Sequence, residues 1–436
     1  MTSTYSRSWQ SPEAAARGLI SSRFRPRLEA LALSALIASG GLACKRSSAP
    51  PSGADGLSAA MAAPSAVRQR TTRGDLALRN LNGRIDTVSR RAQRRPLRLP
   101  EREQWVDALL TRVQFTGSFA DFDRVIEVAE GAVRDHASDP KAYLLRARAA
   151  SAVHRFADAE RDLDAAARLG ADVDARRASV RIAQGRDLES ARAFARARVE
   201  RAATLEHLGL LANAEAALAE FDSADEHYAA ALATLRDVSP FPVAQLCFQR
   251  GVMWAEQAGD TQRALPHYVE AVRRLPDYVV ANVHLAELEV ELGHRDAAIE
   301  RLRVLVERTA DPEPAGFLGE LLASRDATDP AGRALIERAR SAYGALLEKH
   351  EGAFLDHASE FFAGPGADAA RASVLAQENL ALRQTPRAYA LAVEAAIAAK
   401  DSPLACRMIE GARAAAARSR NLAALLERES GRCATR

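Results

Sequence analysis

The sequence predicts an all-α chain, an α-solenoid of helix pairs stacked one on the next. Three observations carry this expectation. Hydrophobic residues make up 48% of the 436 and aromatic residues only 5%, so the core is built mainly from Ala, Leu and Val. Ala and Leu lose little on entering a helix, whereas the aromatic residues that favour strands are scarce. A spacing of 34 then recurs, with Gly259 and Gly293 that far apart and Ala264 and Ala298 likewise. Finally, the clearest copies carry the same punctuation: a glycine, a small residue several positions later, and a bulky one four further on.

The amino terminus comes first. Three arginines in "SSRFRPR" precede an apolar run from Ala30 to Ala38, which is the length of a signal-peptide core. A membrane span needs roughly 20 apolar residues, so this run is too short to be one. It ends in "SGGLAC", which resembles the lipobox of bacterial lipoproteins. That resemblance implies cleavage after Ala43 and lipid on Cys44, which makes residues 1–43 a signal peptide. Gly41 departs from the pattern, since the family usually carries Leu there and Leu42 sits one place late. Gly41 and Ala43 also suit an ordinary signal peptidase, which would release a soluble periplasmic protein.

Residues 44–103 follow as a tether and a basic linker. From Lys45 to about Ala66 the chain is Ser, Ala, Pro and Gly, with too little apolar surface to fold. "DLALRNLNGRIDTVSRR" is a short amphipathic helix, expected to be solvated and to lead into the main body.

From Trp105 the repeats begin, and residues 104–310 hold the clear copies. Two of them lie in "FQRGVMWAEQAGDTQRALPHYVEAVRRLP" and "NVHLAELEVELGHRDAAIERLRVLV". The first supplies Gly251, Gly259, Ala264, Tyr268, Ala271 and Pro276; the second supplies Ala286, Gly293, Ala298, Leu302 and Leu305. Further copies contain Phe119 and Ala129, Phe156 and Ala159, Ser190 and Phe194, and Phe221, Ala224 and Tyr228. This pattern resembles the tetratricopeptide repeat. Small residues let two helices approach, bulky ones fill the hole against the next pair, and stacking buries what a single pair leaves exposed. Residues 311–436 read as degenerate helical repeats, with 311–349 fitting the period poorly.

The resemblance implies a non-enzymatic scaffold with a protein or peptide partner. Its first helices would line a concave face carrying Lys141, Arg148 and Ser151, then Gln249, Met253 and Glu256, then Val280, Val283, Glu287 and Glu291. Such a face favours a partner with basic and apolar residues, and reversing Glu287 and Glu291 should weaken capture without lowering stability. The bacterial cell envelope, with attachment through the lipid anchor, is the expected location.

Other chemistry is poorly supported. A net charge of +3 gives no basic face for nucleic acid. GxxxxGK[ST], GxGxxG, HExxH and GxSxG are absent, so no nucleotide, zinc or acyl chemistry is indicated and no cofactor or metal is expected. An alternative places an enzymatic or metal site in residues 311–366, where His350 and His357 lie near Glu351 and Asp356. Cys247 and Cys406 are expected as buried thiols, and Cys433 as a cysteine with no evident partner.

Overall fold

The computed structural model describes Met61, Ser65 and residues 67–433. The expected leader, Cys44 and most of the tether lie outside these residues. Among the described residues there are nineteen α-helices and no strand. A first helix, α1 (Gly74–Arg94), precedes the pair α2 (Leu99–Thr116) and α3 (Asp121–Asp135). Next come α4 (Pro140–Ala152) with α5 (Phe156–Arg168), and α6 (Asp174–Gln184) with α7 (Leu188–Arg201). The middle of the array holds α8 (Leu205–Ala217) with α9 (Phe221–Thr234), and α10 (Pro240–Val252) with α11 (Thr261–Arg274). It continues through α12 (Val279–Glu291) and α13 (Arg295–Arg308). A π-helical turn, Met253–Gln257, extends α10.

Residues 311–349, which fit the period poorly, are helical for most of their length. Helix α14 (Pro312–Ala323) packs on α15 (Pro330–Ala363), whose backbone breaks at His350. The second half of α15 packs on α16 (Ala369–Leu382), and α17 (Pro386–Ala398), α18 (Ser402–Ala416) and α19 (Arg420–Glu429) complete the array. Asp311, Asp329 and Thr385 cap helices whose first residue is proline, as Asp139 caps α4. The α14–α15 contact depends on backbone proximity: a Cβ on Gly319 would lie 2.9 Å from the carbonyl oxygen of Gly332.

In the clear repeats the expected packing holds. Ala264, Tyr268 and Ala271 are wholly buried, as are Ala298 and Leu302. Tyr268 lies directly on Gly251, where an added Cβ would come within 2.5 Å of the ring. Only glycine admits that contact.

The folded body begins before residue 104. Helix α1 buries Ala77, Leu78, Leu81 and Ile85. Ahead of it, the Arg274 guanidinium donates to the Gln69 and Val67 carbonyl oxygens (2.5 and 2.9 Å), and Thr72 N–H donates to Val238 O (2.7 Å). The linker helix expected to be solvated is part of the core, because its apolar stripe has a partner surface to cover.

The array also curls onto itself. Phe119 meets Phe354 edge to face at 4.8 Å, and Asp123 accepts from Lys349 at 2.8 Å. His154 contacts Gly352 O (2.8 Å), Gln384 N–H donates to Gln184 O (2.8 Å), and Asn421 donates to Glu256 O (2.8 Å). Pairs α2–α3, α4–α5, α6–α7 and α10–α11 thus touch the late part of the chain, and the concave side becomes an interior.

Candidate functional site

Closure of the array carries the residues expected on the concave face into different surroundings. Lys141 stays exposed at the start of α4, and Glu291 is exposed at the end of α12. Arg148 is buried and ion-paired with Asp107, and Ser151 is buried beside it. Val283 is core, 1% exposed, packed with Ile299, Leu302 and Leu318, and Val280 is partly buried against a separate part of the core. Arg148 and Val283 are thus taken up by packing against adjacent helices, Arg148 by Asp107 of α2 and Val283 by α13 and α14. Gln249, Met253 and Glu256 do come together, on the wall of a cavity.

Glu287 belongs to a buried electrostatic network. His284 lies between Glu256 (3.2 Å) and Glu287 (3.3 Å). Arg387, from α17, bridges Glu256 (3.8 Å) and Glu360 of α15 (3.0 Å). Burial raises the Glu287 carboxyl well above its ordinary range, and burial likewise pushes Glu360 up to about 8 despite Arg387. Reversing Glu287 to Arg would place a guanidinium against His284 inside this network. The expectation that such a change spares stability is therefore corrected.

His357 sits in a neighbouring cluster, 3.7 Å from both Glu313 and Asp356. Burial alone would lower its pKa, but the Asp356 and Glu313 carboxylates outweigh this and hold it up at about 9. Asp356 in turn accepts from Arg383 at 2.5 Å; burial opposes its ionisation, but the guanidinium holds it far below the usual carboxylate range. His350 turns elsewhere, to Asp123 at 3.0 Å. The two histidines considered for a shared metal site thus serve different partners. No group of three or more His, Cys, Asp or Glu side chains with metal-binding placement occurs among the described residues.

The cavity itself, about 220 Å³, lies between the inner helices α6, α8 and α10 and the closing helices α17 and α19. Its walls are largely apolar, with Ile182, Leu210, Phe248, Met253 and Leu391 among them. Glu394 and Arg387 enter from α17. That helix, "PRAYALAVEAAIA", is apolar all round except for these two residues, which are seven apart and so share a face. Helix α14 repeats the device with Glu313 and Glu320. A lone charge on an otherwise apolar helix was the signal available in the sequence for both sites.

Cys406 and Cys433 form a disulfide, with Cα atoms 5.7 Å apart, and Cys247 is a buried free thiol. The expectation of a free Cys406 is corrected: the turn after α19 returns the chain to α18. No described helix is long and apolar enough to cross a membrane.

Residues 255–321, running from the end of α10 into α14, match the tetratricopeptide repeat family. No curated protein matches the sequence. Among solved structures, the chain is similar to the APC/C hetero-tetramer Cut9–Hcn1 at 14% identity and a TM-score of 0.41, over 76% of this chain and 67% of that one. It is similar to the human IFIT1 dimer with PPP-AAAA at 15% identity and a TM-score of 0.42, over 75% and 76% of the two chains. Similarity to yeast Tom70 is 12% identity with a TM-score of 0.30, over 81% and 96%. The segment that matches the tetratricopeptide repeat thus lies on successive helices of one stacked, all-helical array.

Proposed function

We propose that the protein is a non-enzymatic protein-interaction scaffold, exported and held by lipid on Cys44 in the bacterial cell envelope. The repeat fold supports the scaffold reading, since such arrays present long surfaces and bring no chemistry of their own. The order of arginines, apolar run, "LAC" and Ser/Pro/Gly-rich tether is the single observation that carries the anchor. The Cys406–Cys433 disulfide fits the same location, because such bonds persist in oxidising compartments and are rare in the cytosol.

With the concave side filled, a folded or helical partner meets the outer surface of the array. Lys141 and Glu291, both exposed, remain candidates for that contact. Mass spectrometry of protein extracted from membranes tests the anchor. An acylated Cys44 at the amino terminus is expected; an unmodified peptide running through Ala43–Cys44–Lys45 as the main species would contradict it. Affinity capture from the same extract, compared with a Glu291→Arg variant, tests the surface, and unchanged capture removes Glu291 from it.

A further inference from the structure

The cavity between α10 and α17 holds polar groups that packing leaves without partners. Glu394 faces it and makes no hydrogen bond or ion pair with any described residue. Gln249, 9% exposed, leaves its side-chain oxygen without a hydrogen-bond partner, and so does Gln257 on the same wall. The cations around Glu394 are engaged elsewhere. Arg387 bridges Glu256 and Glu360, Arg428 pairs with Glu429 at 2.9 Å, and Arg418 donates to the Gly185 and Gln384 carbonyl oxygens. One acceptor group with negative charge and two neutral acceptors thus line a space with apolar walls. At about 220 Å³ it is far larger than a single water requires. The exposed Arg428 and Ala424 mark its mouth.

We propose that this cavity is a binding site for a small primary amine with an apolar body, its ammonium on the Glu394 carboxylate and its alkyl or aryl part against Phe248, Met253 and Leu391. An ammonium has three N–H donors and no acceptor, which complements the Glu394 carboxylate and the Gln249 and Gln257 side-chain oxygens. A neutral alcohol brings one O–H donor and no charge, so it serves one of these three acceptors and leaves the carboxylate charge uncompensated. An anion would meet Glu394 as a like charge. Apolar walls around a few convergent polar groups are the usual make-up of a small-molecule site.

The site also has a built-in pH dependence. Burial, only partly offset by Arg428 and Arg387, pushes the Glu394 carboxyl up to about 7, with Glu429 adding to the rise. The empty site therefore holds a proton below neutral pH that an ammonium must displace. For a group of that pKa the ionised fraction falls about tenfold between pH 8 and pH 6, and amine affinity falls with it.

Calorimetric titration of the full chain with hexylamine, 1-hexanol and hexanoate tests this. Hexylamine should bind at least tenfold more tightly than the other two at pH 8 and about tenfold more weakly at pH 6. Glu394→Gln should remove both the preference and the pH dependence, while Glu394→Asp keeps the preference. Equal binding of hexylamine and hexanol, tighter binding of hexanoate, or binding of none overturns the proposal. So does an amine preference that survives Glu394→Gln. If that variant does not fold, the three-ligand comparison and pH dependence of the unaltered chain decide.

Discussion

Replacing Arg387 with methionine removes the one cation that bridges Glu256 and Glu360 while keeping most of the side-chain volume. The arginine lies 3.8 Å from the first carboxylate and 3.0 Å from the second, and all three side chains are about three-quarters buried or more. At an effective dielectric of about 20, the two contacts amount to roughly 4 and 5 kcal/mol of gross attraction, most of it offset by desolvation while the cluster is intact. Without the guanidinium the desolvation remains and the attraction is lost, so Arg387→Met should cost about 3–5 kcal/mol. The sign of its pH dependence follows from Glu360. Its folded pKa, already about 8, lies above the ordinary 4.5, so it adds stability at low pH and loses it as pH rises through the folded value. Removing the cation raises that pKa further, so the deficit grows from pH 5.5 to pH 8.5. Guanidinium unfolding followed by circular dichroism measures it at both pH values. A loss below about 1 kcal/mol at pH 8.5, or an equal loss at both, would show that Arg387 does not hold this cluster together; adding Glu360→Gln to the variant should recover part of the deficit.

His357 should make the unaltered chain less stable on the alkaline side. Its pKa of about 9 exceeds the ordinary 6.5, so its contribution of about 3 kcal/mol is complete below pH 6.5 and disappears as pH rises through 9. The melting temperature should fall across that window, and fall much less in His357→Gln. Reducing the Cys406–Cys433 bond, which closes a separation of 27 residues, should cost about 3–4 kcal/mol on the chain-entropy account, and thiol titration of the denatured, unreduced chain should find Cys247 but neither of these. Gly251→Ala should destabilise by about 1–3 kcal/mol, because its methyl meets the Tyr268 ring. Gly83→Ala, on the exposed side of α1 with nothing within 4 Å of its Cβ, should stabilise by up to about 1 kcal/mol, and melting curves of the two variants should move in opposite directions.

The repeat was legible because a pair length is set by local packing. Gly251, Ala264 and Tyr268 are fixed by the contact between adjacent helices, and that contact recurs with the sequence period. The late pairs were obscured because Gly319 and Gly332 do the work of the alanine positions. The site was legible only in part. Inward-facing residues of first helices follow from the repeat, which is why Gln249, Met253 and Glu256 line the cavity. What stands in front of them does not follow, since curvature accumulates from small rotations at every interface. Arg387, Glu360 and Glu394 reach the site only through that curvature. The pairing of Cys406 with Cys433 depends in the same way on where the last turn returns.

Zero-length carbodiimide cross-linking reads the closure of the array on itself. The reagent joins an amine to a carboxylate only where the two are in contact. The chain has four lysines, at 45, 141, 349 and 400, so products are few and readily assigned. Lys349 Nζ and Asp123 Oδ2 are 2.8 Å apart, 226 residues apart in sequence, and both side chains are accessible to reagent. Mass spectrometry of the folded monomer should show a peptide from α3 joined to one from α15 through these two residues. A helical, folded monomer in which Lys349 reacts only with carboxylates of its own helix, or with none, would show that the array is open and that its concave face is free.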